Sequence, residues 1–242
     1  MNAHVTSTLV TPPVAPVVTA EHRRENLGLL AGIETRTLIW IAERLPPWVT
    51  SDRLTALGAL SMAGVGVAFA LARYVPWSPA VVPVLLALNW FGDSLDGTVA
   101  RVRRCQRPRY GYYLDHVVDI VCATALFAGL AASTLIHPGL AAGLLVAYLL
   151  LCAESFLATH AIGLFRLAIS GFGPTELRIV LAVGALMVIE RPLVHPFGLG
   201  TFRLFDVGGS VGLAGMLGAF LFTVVRNTAF LYRAEPLPRG GR

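Results

Sequence analysis

Two pairs of aspartates sit close together in the stretch "DSLDGTVARVRRCQRPRYGYYLDHVVD", residues 93–119. Asp93 and Asp96 are three residues apart, and Asp115 and Asp119 are four apart. Either spacing puts a pair on one face of a helix. Two neighbouring helices would then bring four carboxylates to one place. An oxygen-only ligand set of that kind suits a hard divalent cation such as magnesium or manganese. Two such ions would set four positive charges against four negative. Gly97 and Ala100 keep bulk away from Asp96, and Gly111 precedes Asp115 by one turn on the same face. Arg101 ends this helix with a cation that can reach an anionic group. Acid pairs, small residues and one arginine describe a site for a diphosphate bridged by metal ions, an arrangement suited to in-line displacement. Paired carboxylates inside a membrane can also line an ion or proton path.

The elements that must carry these acids are apolar. The chain is 55% hydrophobic and 14% charged, where a soluble domain carries about 25% charged residues. An ionised side chain at bilayer depth costs roughly 2.5 kcal/mol or more, so cations that neutralise the aspartates explain their presence. Apolar runs near the spanning length of ~20 residues recur, and six are expected: 53–73, 79–100, 110–136, 138–162, 174–194 and 207–232. The predicted fold is an all-α polytopic membrane protein. Residues 1–20 read as a mobile arm without the charged lead and compact apolar core of a signal peptide. Residues 21–50 mix charge and apolar residues at helical spacing. They predict an amphipathic helix, either lying on the membrane surface or packed against the membrane domain. The catalytic domain is expected over 51–233, followed by a tail over 234–242.

All 19 basic residues are arginine. Lysine chemistry, whether a phosphate-loop lysine or a Schiff base, is therefore excluded. With the N-terminus in the cytosol, only Arg73, Arg191 and Arg203 fall outside, and the other arginines lie at inner ends or tails. That bias is a positive-inside signal and puts the aspartates at the cytosolic face. The net charge of +5 fits contact with anionic lipid rather than with nucleic acid. Cys105, Cys122 and Cys152 lack metal-ligand spacing and read as structural thiols.

The order Asp93-x2-Asp96-Gly97-x2-Ala100-Arg101, nine residues, then Gly111-x3-Asp115-x3-Asp119 resembles the signature of the CDP-alcohol phosphatidyltransferases. The six spans match that family's architecture as well. The resemblance implies that Asp93, Asp96, Asp115 and Asp119 hold two Mg2+ or Mn2+ ions, with Asp119 also the catalytic base. It implies that Gly97, Ala100, Arg101 and Gly111 surround the CDP-alcohol. Upstream, "SDRLTALG" resembles the family's Asn-x2-Thr segment with Asp52 in place of Asn. Asp52 and Thr55 are then expected at the nucleotide; Thr55 could equally make only a local backbone bond. A homodimer in a bacterial inner membrane is the implied setting.

The second half bears on the substrates. Glu154, Arg166 and Arg178 are expected near an acceptor, the arginines gripping a phosphate on a polar alcohol. His160 or Arg166 could partner Glu154, and His116 points about 100° away from Asp115 around its helix. The favoured donor is CDP-diacylglycerol. The alternative is transfer of a CDP-linked aminoalcohol to diacylglycerol, since the stretch around Glu154 loosely resembles choline and ethanolamine phosphotransferases. The non-enzyme alternative is a divalent-cation transporter or metal-stabilised scaffold.

Overall fold

The structure is a computed structural model and describes residues 31–162, 174–198 and 200–236. Seven α-helices make up almost all of it: α1 (Ala31–Arg44), α2 (Ser51–Leu71), α3 (Val82–Val102), α4 (Pro108–Ala132), α5 (Pro138–Ile162), α6 (Pro174–Glu190) and α7 (Leu204–Ala234). A two-residue strand pair, Leu193–Val194 with Phe202–Arg203, closes the link between α6 and α7.

Local sequence sets the helix starts. Pro108, Pro138 and Pro174 each stand at a first helical position, where a missing N–H costs nothing and φ is already helical. Thr50 caps α2 by accepting a hydrogen bond from the Arg53 N–H. The apolar run expected to continue to residue 136 stops being helical at Ala132. There the Ser133 hydroxyl donates to the Leu130 carbonyl and accepts the Leu135 N–H, while Asp206 accepts the His137 N–H at 2.6 Å. These local bonds offer the backbone an alternative to a further helical turn.

Among the described residues, α2, α4, α5 and α7 are long and apolar enough to cross a membrane. Of the six expected spans, the other two differ for visible reasons. α3 has 21 residues, as α2 does, but carries Asp93, Asp96 and Arg101. α6 has 17 residues, about 26 Å at the helical rise. The architecture is that of an all-α integral membrane protein.

Two features fix the helices that carry the acids. Glycines let α2 touch both of its neighbours. A Cβ on Gly92 of α3 would sit 2.5 Å from the Leu54 carbonyl oxygen and 2.6 Å from the Gly58 nitrogen of α2. A Cβ on Gly129 of α4 would overlap the backbone of Gly66. Close backbone approach of this kind is how small residues hold membrane helices together. The main core, with Val65, Phe69, Val82, Leu86, Leu130 and Ile136, fills the end of the bundle away from the aspartates. A smaller cluster joins Leu38 and Ala42 of α1 to Leu54, Leu95 and Val99. α1 is thus docked on α2 and α3 by its apolar face, with Trp40 exposed. Arg103, just past α3, locks this junction by donating to the carbonyls of Leu45, Pro46 and Val49 at 2.7–3.0 Å.

Candidate active site

α3 and α4 each deliver an aspartate pair to the same end of the bundle. Asp93, Asp115 and Asp119 each offer a carboxylate oxygen, and these oxygens lie within 4.8 Å of one another. Three carboxylates that close repel strongly unless cations intervene. An all-oxygen donor set with that spacing fits a hard divalent ion.

Asp96, the fourth acid, is engaged from α2. Its Oδ2 accepts a 2.6 Å hydrogen bond from the Thr55 hydroxyl, and its backbone carbonyl accepts one from Ser51 at 2.9 Å. The Gly97 N–H donates to its other carboxylate oxygen. Thr55 also bonds the Ser51 carbonyl, so its local backbone bond and its bond to the motif coexist. The four acids therefore divide into a cluster of three and one carboxylate oriented by α2.

Arg178 of α6 adds a cation that completes the site. Its Nη2 donates to Asp93 Oδ2 at 2.6 Å, and its Nε donates to Asn89 Oδ1 at 2.8 Å. Asn89 in turn donates to the Gly58 carbonyl at 3.0 Å. A part-buried relay thus runs from the α2 backbone through Asn89 and Arg178 to Asp93. Sequence reasoning passed over Asn89. The signal was present: it is a lone amide in an apolar run, four residues before Asp93 and on the same helical face.

The remaining expected residues fall around this centre. Gly97 is open enough that a Cβ would first meet the flexible Arg101 tip at 3.3 Å, and nothing lies within 4 Å of one on exposed Gly111. Ala100 is half-buried. Arg101 Nη2 donates to the Thr98 hydroxyl at 2.9 Å. Asp52 takes both its bonds from Arg107 Nη2, at 2.6 and 2.7 Å, joining the first turn of α2 to the α3–α4 link. That carboxylate also pushes the Arg107 guanidinium pKa above its ordinary value. His116 Nδ1 lies 2.7 Å from the Tyr112 carbonyl and 3.9 Å from Asp115 Oδ2. Its ring packs on Phe156 of α5.

Glu154 faces α7, where Asn227 Nδ2 donates to its Oε1 at 2.6 Å; it and Arg178 are held by different partners. Arg166 lies outside the described residues. His160 is exposed, and all three cysteines are free thiols.

The sequence profile of the CDP-alcohol phosphatidyltransferases matches residues 48–225. The chain belongs to the CDP-alcohol phosphatidyltransferase family. The match opens just before α2, ends inside α7 and includes all four aspartates. Comparison with curated proteins returns no match. Membership makes this an integral membrane transferase of phospholipid biosynthesis, moving a substituted phosphate from a CDP-alcohol to an acceptor hydroxyl. CDP-alcohol phosphatidyltransferases generally use a divalent metal, and the Asp93, Asp115 and Asp119 cluster is able to bind one.

Proposed function

We propose that the enzyme transfers a phosphatidyl group from CDP-diacylglycerol to a polar alcohol and releases CMP. The observation that carries this reading is the convergence of Asp93, Asp115 and Asp119 beside Asp96 within the family's motif. In this reading the four aspartates hold two Mg2+ or Mn2+ ions. Bound there, the ions supply positive charge to the donor's diphosphate and to the charge that develops on phosphorus.

The chain's own groups do the rest. Asp119 takes the proton of the acceptor hydroxyl. The oxygen attacks the β-phosphorus, the bond from that phosphorus to the CMP oxygen breaks, and its electron pair leaves with CMP. Thr55 and Ser51 hold Asp96 in register with the donor. Arg101 lies against the diphosphate, with Gly97, Ala100 and Gly111 leaving room for the nucleotide and Asp52 at its edge. Arg178, already on Asp93, and Arg166 receive the acceptor's phosphate. The arginine distribution supports a site facing the cytosol of a bacterial inner membrane. A homodimer is the proposed assembly, built on a catalytic domain over 51–233, with a juxtamembrane segment over 21–50, an arm over 1–20 and a tail over 234–242. Within 21–50 the described helix is α1, which ends at Arg44 and not at residue 50; residues 1–30 and 237–242 lie outside the described residues.

The test is incubation of purified enzyme with CDP-diacylglycerol and a panel of alcohols, followed by lipid mass spectrometry and CMP assay. A new phosphatidyl alcohol formed together with CMP is expected. Turnover only with CDP-ethanolamine or CDP-choline and diacylglycerol would replace this reading with the aminoalcohol one.

A further inference from the structure

A cavity of about 270 Å³ opens between α5 and α7, lined among the described residues by Glu154, Ser155, Thr223, Arg226, Asn227 and Phe230. Its charged groups sit on α7 and on the Glu154 side of α5. Phe156 packs against His116 of α4, with ring centroids 4.9 Å apart. At 100° per residue, Glu154 points about 160° away from Phe156. Glu154 is thus turned from the α4 contact toward α7, while Ser155 points about 100° from both Glu154 and Phe156. The cavity and the carboxylate cluster still lie at one end of the bundle. α4 and α5 form a hairpin through residues 133–137, so the last turns of α5 return to the level of Asp115 and Asp119.

The polar groups in the cavity are ordered. Arg226 Nε donates to Asn227 Oδ1 at 3.2 Å, and Asn227 Nδ2 donates to Glu154 Oε1 at 2.6 Å. A cation and an anion thus share one small space, bridged by Asn227. Thr223 spends its hydroxyl on the carbonyls of its own helix. Ser155 is different: the residue is only 7% exposed, and its Oγ has no hydrogen-bond partner among the described residues. A buried hydroxyl in that state is costly and is relieved by any ligand atom that bonds it. Phe230, 55% exposed, gives the cavity an apolar lip.

We propose that this cavity is a second, non-catalytic site for a zwitterionic phospholipid headgroup. The phosphate lies against Arg226, and the ammonium group donates to Glu154 and Ser155. Opposite charges in one space match a phosphate and an amine on one molecule, and the lip favours a lipid over a soluble phosphoalcohol of the same chemistry. The proposal does not rest on the identity of the transferase substrates.

The test is native mass spectrometry and thermal shift on the full chain in detergent with added phosphatidylethanolamine, phosphatidylcholine or free phosphoethanolamine. Phosphatidylethanolamine is expected to stay bound and raise the melting temperature more than phosphatidylcholine, which has no N–H to donate. Glu154→Gln and Arg226→Gln should each weaken its retention by roughly tenfold or more, the loss of one charge-assisted hydrogen bond. Asp93→Asn should leave retention unchanged. Ser155→Ala should raise the melting temperature without lipid yet reduce the gain on adding it, which a merely packed serine would not do. Equal retention by wild type and both charge variants, or a loss confined to Asp93→Asn, would overturn the proposal. Free phosphoethanolamine binding as tightly as the lipid would overturn the lipid assignment.

Discussion

The Asp93 carboxylate faces two kinds of cation, the Arg178 guanidinium and any divalent ion shared with Asp115 and Asp119. Removing the guanidinium leaves three close carboxylates to be neutralised by metal alone. Arg178→Gln should therefore lower stability by roughly 1.5–3 kcal/mol when metal is chelated, the scale of a hydrogen bond to a charged group. The deficit should shrink once magnesium is added. Melting curves of both proteins, with chelator and with metal, check this; an equal deficit in the two conditions would mean that Arg178 acts only as a packing residue. At Asp119 the expectation concerns turnover. Asp119→Asn keeps the side chain's shape but removes the proposed base, so CMP release should fall roughly 10²–10⁴-fold. Donor binding, assigned in the proposed function to Asp96, Arg101 and the other acids, should fall much less. Single-turnover kinetics beside equilibrium binding of a CDP-alcohol separates the two, and near-normal turnover would remove Asp119 from the role of base.

At the scale of the helices, two glycines five residues apart on α3 have opposite surroundings. A Cβ on Gly92 would press on α2 backbone, which cannot swing aside, whereas a Cβ on Gly97 meets only the movable end of Arg101. Gly92→Ala should destabilise the protein by about 1–3 kcal/mol through overpacking. Gly97→Ala should fold as wild type does, helped by up to about 1 kcal/mol of helix propensity, while binding the CDP-alcohol more weakly. Thermal stability and nucleotide binding measured on the same preparations check both; a Gly97→Ala protein with unchanged binding would place that glycine away from the donor. These contrasts also mark what the sequence could reveal. Helix identity, the start at Pro108 and the pairing of acids on one face of each of two helices follow from local sequence, and all are legible in residues 93–119. Which acid turns toward Thr55, and that Arg178 reaches Asp93 from α6, depend on the rotation of α2 and α6 about their axes. That rotation is set by contacts such as Gly58–Gly92 and Asn89–Arg178, between residues far apart in the chain. Glu154 shows the same limit: its partner Asn227 lies 73 positions away, and no local pattern announces it.

For the molecule as a whole, the carboxylate cluster couples metal to stability. A cation that binds only the folded chain adds about 2.7 kcal/mol when present at a hundredfold excess over its Kd. Thorough chelation should therefore abolish CMP release and lower the melting temperature together, with magnesium or manganese restoring both. Undiminished CMP release in chelator would rule out the metal-dependent reading. The crossing of α2 and α4 at Gly66 and Gly129 bears on the same chemistry from a distance. Because bare backbone meets bare backbone there, any tilt of α4 would turn about a fulcrum with no padding. Asp115 lies fourteen residues from Gly129, an arm of about 21 Å at the helical rise. A tilt of about 5° at the fulcrum swings that carboxylate by nearly ~2 Å, and misplacement by ~1 Å can already cost 10²-fold in rate. The precision of the acid cluster is thus set partly by a glycine contact four turns of helix away, out of reach of any substrate.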